Sequence, residues 1–268
     1  MGDGHATERI VARAAEDLGA GRRRGGHAER AGHPRSVRRS EVILDGMTRV
    51  HRRLALALLA AAAVAGLAFA ASALLGGRGG GPARPWADGS VHGPWRSVFD
   101  GHGENIGLHN GLSLSPEPAR TAAETHAGLI VSTRQYGSMN LQARMRTVAQ
   151  LRTPTPNPWE VPWLVWAYSD PEHFYYVTLK PNGWELAKRD PAYPGGQRFL
   201  ATDSEPFPIG RWSAVQVAQR GAHLEVSVDG KGLVAYEDQE RPYLGGNIGA
   251  YTEDARVEFT DITVEPAK

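Results

Sequence analysis

The chain has 268 residues, with 30 Lys and Arg against 29 Asp and Glu, a net charge of +1, and no cysteine. The missing cysteine excludes disulfides, thiolate zinc sites and a cysteine nucleophile. The balanced total hides an asymmetry, because the first fifty-odd residues are rich in Arg and the C-terminal part carries most of the acids.

Residues 1–53 include GRRRGGHAERAGHPRSVRRS, which has no hydrophobic periodicity and is dense in Gly, Arg and His. Such composition predicts a disordered basic segment. It reads as a cytoplasmic arm touching anionic lipid or nucleic acid, as a solvated tail, or as an upstream extension if translation starts at Met47.

Residues 54–75, LALALLAAAAVAGLAFAASALL, carry no charge. At about 1.5 Å of rise per residue, the run is long enough as a helix to cross a hydrocarbon core of about 30 Å. Arg49, His51, Arg52 and Arg53 precede it, and only Arg78 and Arg84 follow closely. The positive-inside bias then puts the N-terminus in the cytoplasm and everything after the run outside. A cleaved signal peptide is the other reading: MTRVHRR from Met47 makes a basic n-region, and Ala71-Ser72-Ala73 fits a small-x-small cleavage site. The protein is thus expected at the cell membrane as a single-pass chain, or secreted. Residues 76–90, GGRGGGPARPWADGS, read as a flexible Gly/Pro linker.

From residue 91 to 268 the pattern is strands. Period-two runs recur in SMNLQARMRTV, HFYYVTLK, WSAVQVAQ, HLEVSVD and ARVEFTDITVE, punctuated by the hairpin signals Asn182-Gly183 and Asp229-Gly230. Many short strands with Gly/Pro turns predict an all-β sandwich or barrel.

A two-residue loop at Asn182-Gly183 would set Lys180 opposite Glu185 and Tyr176 opposite Arg189. Period two then puts Tyr175, Val177, Leu179, Trp184 and Leu186 on a core face. Phe174, Tyr176, Thr178, Lys180, Glu185 and Arg189 fall on the other. With a turn at SDPE, residues 169–172, Leu164 and Trp166 join the core face, and Trp163 and Val165 join the charged one. Trp163 beside Tyr176, Lys180, Glu185 and Arg189 is expected as a partly open platform: the ring covers the C–H face of a pyranose and the polar groups take its hydroxyls. Asn140, Gln142, Arg144 and Arg146, alternating along their strand, offer more polar groups of the same kind.

Four stretches carry a family resemblance: WRSVFDGHG, WLVWAYSDPEHFYYVTLKPNGWEL, GAHLEVSVDGKGL and GNIGAYTEDARVEFTDITV. Residues 95–265 resemble the concanavalin A-like lectin and glucanase jelly rolls, most of all 3-keto-disaccharide hydrolase-type domains and more distantly family-16 glycoside hydrolases. The resemblance implies a two-sheet jelly-roll sandwich, a glycan partner, and a structural calcium held by Asp261 on the last strand, with Asp100 near the other end. It also raises catalysis, with Glu185 and Glu160 as the carboxylates near the aromatic cluster. The family-16 strand motif E-x-D-x-E is absent, however, and the register sends Glu160 toward the core face. An extracytoplasmic carbohydrate-binding domain is the leading expectation; a glycoside hydrolase acting on the same face, or an interaction module without a sugar site, are the alternatives. No EF-hand loop, HExxH, phosphate-binding Gly loop or GxSxG element is present, and no nucleic-acid partner is expected for the exported domain.

Overall fold

The structure, a computed structural model, describes residues 84–267. The basic arm, the apolar run 54–75 and most of the linker lie outside the described residues. Among the described residues no helix is long and apolar enough to cross a membrane.

Among the described residues, fifteen strands build two antiparallel sheets. One contains β1 (Val91–His92), β2 (Trp95–Phe99), β5 (Ala127–Tyr136), β14 (Gly246–Glu253), β7 (Trp163–Asp170), β8 (His173–Lys180), β9 (Gly183–Arg189) and β10 (Gln197–Asp203), in that spatial order. The other contains β13 (Lys231–Glu237), β12 (His223–Val228), β11 (Ser213–Arg220), β6 (Met139–Gln150), β15 (Ala255–Pro266), β4 (Gly111–Ser115) and β3 (Glu104–Leu108). Alternate residues of both sheets point inward, as period two requires. Leu141, Ala143, Met145, Val215, Val217, Val257 and Phe259 meet Leu164, Trp166, Tyr175, Val177, Trp184 and Leu186 in one buried core.

The Asp229-Gly230 turn is as expected: Val228 pairs with Lys231, and both loop residues have positive φ, 51° and 79°. The other hairpin differs. Lys180 pairs with Gly183, Leu179 with Trp184 and Tyr176 with Ala187, so the loop is Pro181-Asn182. Pro181 supplies the fixed φ that a turn's second position favours. Gly183 sits at φ 143°, and a Cβ there would lie 2.1 Å from the carbonyl oxygen of Asp203 on β10. The glycine is needed for close strand approach rather than for the turn tip. Because the register moved by two residues, the division into faces is unchanged.

Between β7 and β8 the pairs Trp163–Thr178, Val165–Tyr176 and Trp166–Tyr175 match expectation. The turn itself is tighter. Asp170 pairs with His173, and a bulge with Ala167 at φ 50° absorbs the extra residues.

Two charged networks close the sandwich edges. Arg152 binds Glu160, and its Nη2 donates to Asp254 Oδ2 at 2.6 Å; its Nη1 donates to the carbonyls of Thr121 and Glu124. This ties the loop before β7 to the β14–β15 corner. At the other end Lys188, on the core face of β9, donates to Asp238 at 2.8 Å and to the carbonyls of Glu240 and Arg241. Tyr175 donates its hydroxyl to the same Asp238 oxygen.

Candidate functional site

The outer face of the eight-stranded sheet carries the aromatic and charged residues that alternation assigns to it. Cross-strand pairs fix its rows. Tyr251, Trp163, Thr178, Glu185 and Thr202 lie in one row across β14, β7, β8, β9 and β10. Val165, Tyr176, Ala187 and Phe199 form the next. Phe174, Arg189 and Gln197 form the third.

The rings pack on one another. Trp163 stacks on Tyr176 with centroids 4.2 Å apart and planes at 23°, and Tyr251 lies 5.0 Å from Trp163. The Trp163 indole donates to the carbonyl of Trp159 at 3.0 Å. Thr178 and Thr252 donate to the carbonyls of Pro162 and Val161, so the segment before β7 folds against this end of the face.

The expected open platform at Trp163 is therefore corrected. Trp163 is 3% exposed and Tyr176 fully buried. Alternation assigns residues to a face; it does not say whether that face is covered. The accessible aromatic is Phe199, 42% exposed, on edge strand β10. It stands two strands from Tyr176, about 10 Å at the usual spacing, with the small Ala187 between them. Gln197 donates to the Tyr176 hydroxyl. Lys180 and Glu185, half-buried and buried, form an ion pair across the hairpin, though not as direct Cα partners. Arg189 lies beside Gln197.

Of the two carboxylates named from sequence, Glu185 is on this face. Glu160 is in the segment before β7, fully buried, its Oε1 held by Arg152 and by Asn157 Nδ2 at 2.9 Å. Burial raises the pKa of Glu160 against these partners. Its place is in a structural ion network, not on the strand rows. Asp190 is likewise buried, held by Arg241 at 2.6 Å and by the Ala192 amide.

Glu253 was not foreseen. It follows Tyr251 by two residues on β14, shares its face, and accepts the Tyr251 hydroxyl at 2.7 Å. Burial pushes its carboxyl up to about 7, with Asp254 and Glu160 adding to the rise and Arg189 opposing it. Burial also raises Tyr176 and Tyr251 well above the usual phenol range, Glu185 and Glu253 contributing to Tyr176. Both would thus be neutral. The only signal for Glu253 was alternation in GNIGAYTE; its partner on the sheet, Ala127, comes from distant β5.

Asn140, Gln142, Arg144 and Arg146 are not part of this face. Their strand β6 belongs to the seven-stranded sheet, whose outer surface holds a groove of about 570 Å³ lined by Asn140, Gln142, Gln216, Ser227, Glu225 and Glu265 among others. Arg144 and Arg146 stack over Trp212, at 5.4 and 4.7 Å from its ring.

Asp100 and Asp261 are not brought together. Asp261 accepts from Asn110 Nδ2 at 2.5 Å, beside the β3–β4 hairpin, and takes φ 53° where a bulge interrupts β15. Asp100 accepts the His102 amide at 3.0 Å, and the adjoining Gly101 carbonyl accepts from Glu117, past the far end of β4. The length of β4 separates the two, about 17 Å. Among the described residues no group of three or more His, Cys, Asp or Glu is placed to hold a metal ion. Calcium needs six or more oxygens around one point, and these two aspartates do not supply a shared centre.

No family model matches the chain, and no curated protein matches it. Solved structures do. The carbohydrate-binding module CBM66 from Bacillus subtilis superposes with a TM-score of 0.51 at 13% identity, covering 64% of this chain and 95% of that one. A Bacillus subtilis protein of unknown function with a galectin-like fold gives 0.44 at 12% identity, covering 64% and 88%. A structure described with endo-acting O-glycanases of the human gut microbiota gives 0.47 at 13%, covering 67% and 94%. The CBM66 likeness, with the two sheets, shows the fold of the domain, an all-β two-sheet jelly-roll sandwich.

Proposed function

We propose that residues 91–266 form a carbohydrate-binding domain that takes a glycan on the outer face of the eight-stranded sheet, over β8–β10. Segment 54–75 would display it outside the cytoplasm, as an uncleaved anchor or after signal cleavage. The observation that carries the binding site is Phe199: an exposed ring across Ala187 from Tyr176, with Gln197, Arg189, Lys180 and Glu185 around it. A ring of this kind covers the C–H face of a sugar while amide and charged groups take its hydroxyls. The fold shared with CBM66 supports the reading, but a fold alone does not decide activity.

The test is a glycan array on the full chain, followed by calorimetry on the hits. Phe199→Ala should weaken binding roughly tenfold, about 1.4 kcal/mol, with little change in melting. An array without hits, or hits indifferent to Phe199→Ala, would overturn the reading.

One observation favours hydrolysis as a second reading. Glu253, held at about 7, can carry a proton at neutral pH, and Glu185 offers a second carboxyl on the same face. Their strands are separated by β7 and β8, about 14 Å of backbone, so the side chains would have to lean inward to span about 6.5–9.5 Å. New reducing ends, formed by the chain but not by Glu253→Gln, would establish it.

A further inference from the structure

Arg189 and Lys180 both lie on the proposed glycan face, and they are in different situations. Lys180 is paired with Glu185. Arg189 is 7% exposed, yet its guanidinium has no hydrogen bond or ion pair to any described residue. A buried cation is costly unless an anion or a set of acceptors compensates it.

Neither carboxylate on this face pairs with it directly. Glu185 is held by Lys180, and Glu253, whose Oε1 accepts the Tyr251 hydroxyl, acts on Arg189 through its charge without an ion pair. Gln197, the direct partner of Arg189 on β10, gives its amide to Tyr176. On the other side is Phe174, which has no acceptor to offer. The planar fork of the guanidinium, built for two parallel bonds to an oxyanion, is left for a ligand.

We propose that Arg189 receives the anionic group of an acidic sugar, a uronate carboxylate or a sulfate ester, so that this face selects acidic over neutral glycans. The inference rests on the glycan reading above and deepens it. It also predicts a pH dependence. Facing Glu253 are Tyr251 on its own strand, Tyr176 on β8, Arg189 on β9, and Glu160 from the segment before β7. Next to it is Asp254, which Arg152 holds and His126 approaches. When Glu253 takes up a proton, a negative charge that acts on Arg189 across the face disappears. An anionic ligand should therefore bind more tightly as pH falls through about 7, and a neutral ligand should not respond.

The experiment uses the full chain and calorimetry. The probes are galacturonate, glucuronate, mannuronate and guluronate oligosaccharides, their carboxyl-reduced neutral counterparts, and a sulfated galactan oligosaccharide. At about pH 6 an acidic form should bind at least about tenfold more tightly than its neutral counterpart, as a charge-assisted bidentate contact would give. Arg189→Gln should erase the preference. Arg189→Lys, which keeps the charge but not the fork, should retain part of it, and serves if the first variant fails to fold. Glu253→Gln should hold the tight binding up to about pH 8. Preference for the sulfated probe alone would identify a sulfate ester as the anion. Equal binding of acidic and neutral forms, or a preference that survives Arg189→Gln, overturns the inference and leaves the glycan reading standing. If nothing binds, neutral probes included, both fall.

Discussion

Trp163 stacks on Tyr176 across neighbouring strands with 4.2 Å between ring centroids, and neither ring reaches solvent to any extent. Trp166, three residues on, is buried in the core on the other side of the same sheet. Truncating either tryptophan to Ala removes a large ring from a packed layer, so each should cost about 3–5 kcal/mol. Denaturant unfolding of the two variants checks this. A loss below about 1 kcal/mol for Trp163→Ala would show that its layer is loosely packed.

The division of the tryptophans was legible in the sequence; the burial of Trp163 was not. Parity survives a register error of two residues, which is why the faces came out correctly although Lys180 pairs with Gly183. Whether a face is covered depends on segments far along the chain, such as the one ending at Pro162. Phe199 was hidden by the bulge between Phe199 and Ala201, which breaks the alternation that would have marked it. Alternation fails at Asp261 for the same reason, since a bulge interrupts the strand just there. Glu253 needed the pairing of β14 with β5 and β7, a long-range contact that no local pattern encodes.

The pair Lys188–Asp238 has side chains 0% and 1% exposed. Asp238→Ala would strand the ammonium and the Tyr175 hydroxyl together, at a cost of about 3–5 kcal/mol. Replacing both partners, as Lys188→Met with Asp238→Leu, should recover most of that loss, because no charge is then buried alone. Denaturation midpoints at constant m-value distinguish the outcomes. A double variant as unstable as Asp238→Ala would mean that the carbonyl contacts of Lys188 matter more than its ion pair.

Calcium should leave the melting temperature unchanged. An ion that binds only the folded state stabilises it by linkage, but Asp100 and Asp261 sit past opposite ends of β4. Melting in calcium and in chelator should therefore coincide, and Asp261→Ala should not alter that. A chelator-induced drop that Asp261→Ala abolishes would place an ion at Asp261 with oxygens other than those of Asp100.

The apolar run 54–75 and the Arg-rich flank before it predict the orientation of the whole chain. In cells expressing the chain tagged at both ends, added protease should digest residues 91–268 and spare the N-terminal tag. Mass spectrometry of the exported species would then separate an anchor from cleavage near Ala73. A protected C-terminal tag would place the domain in the cytoplasm and remove the premise of an external glycan.

Glu253 should make stability fall as pH rises. Burial raises its folded pKa from 4.5 to about 7, so the folded state holds this proton more tightly than the unfolded chain does. Below about 4.5 the carboxyl is neutral in both states and nothing is lost. Between 4.5 and about 7 the unfolded chain releases its proton first, and stability declines through that window. Above it the full cost is present, roughly 3 kcal/mol from the size of the shift. Glu253→Gln keeps an acceptor for the Tyr251 hydroxyl and cannot ionise. It should be more stable than the natural chain at about pH 8 and lose the slope between the two pKa values. Unfolding free energies measured across that range decide it, and a slope unchanged in the variant would mean that another buried acid, Asp254 or Glu160, carries the proton.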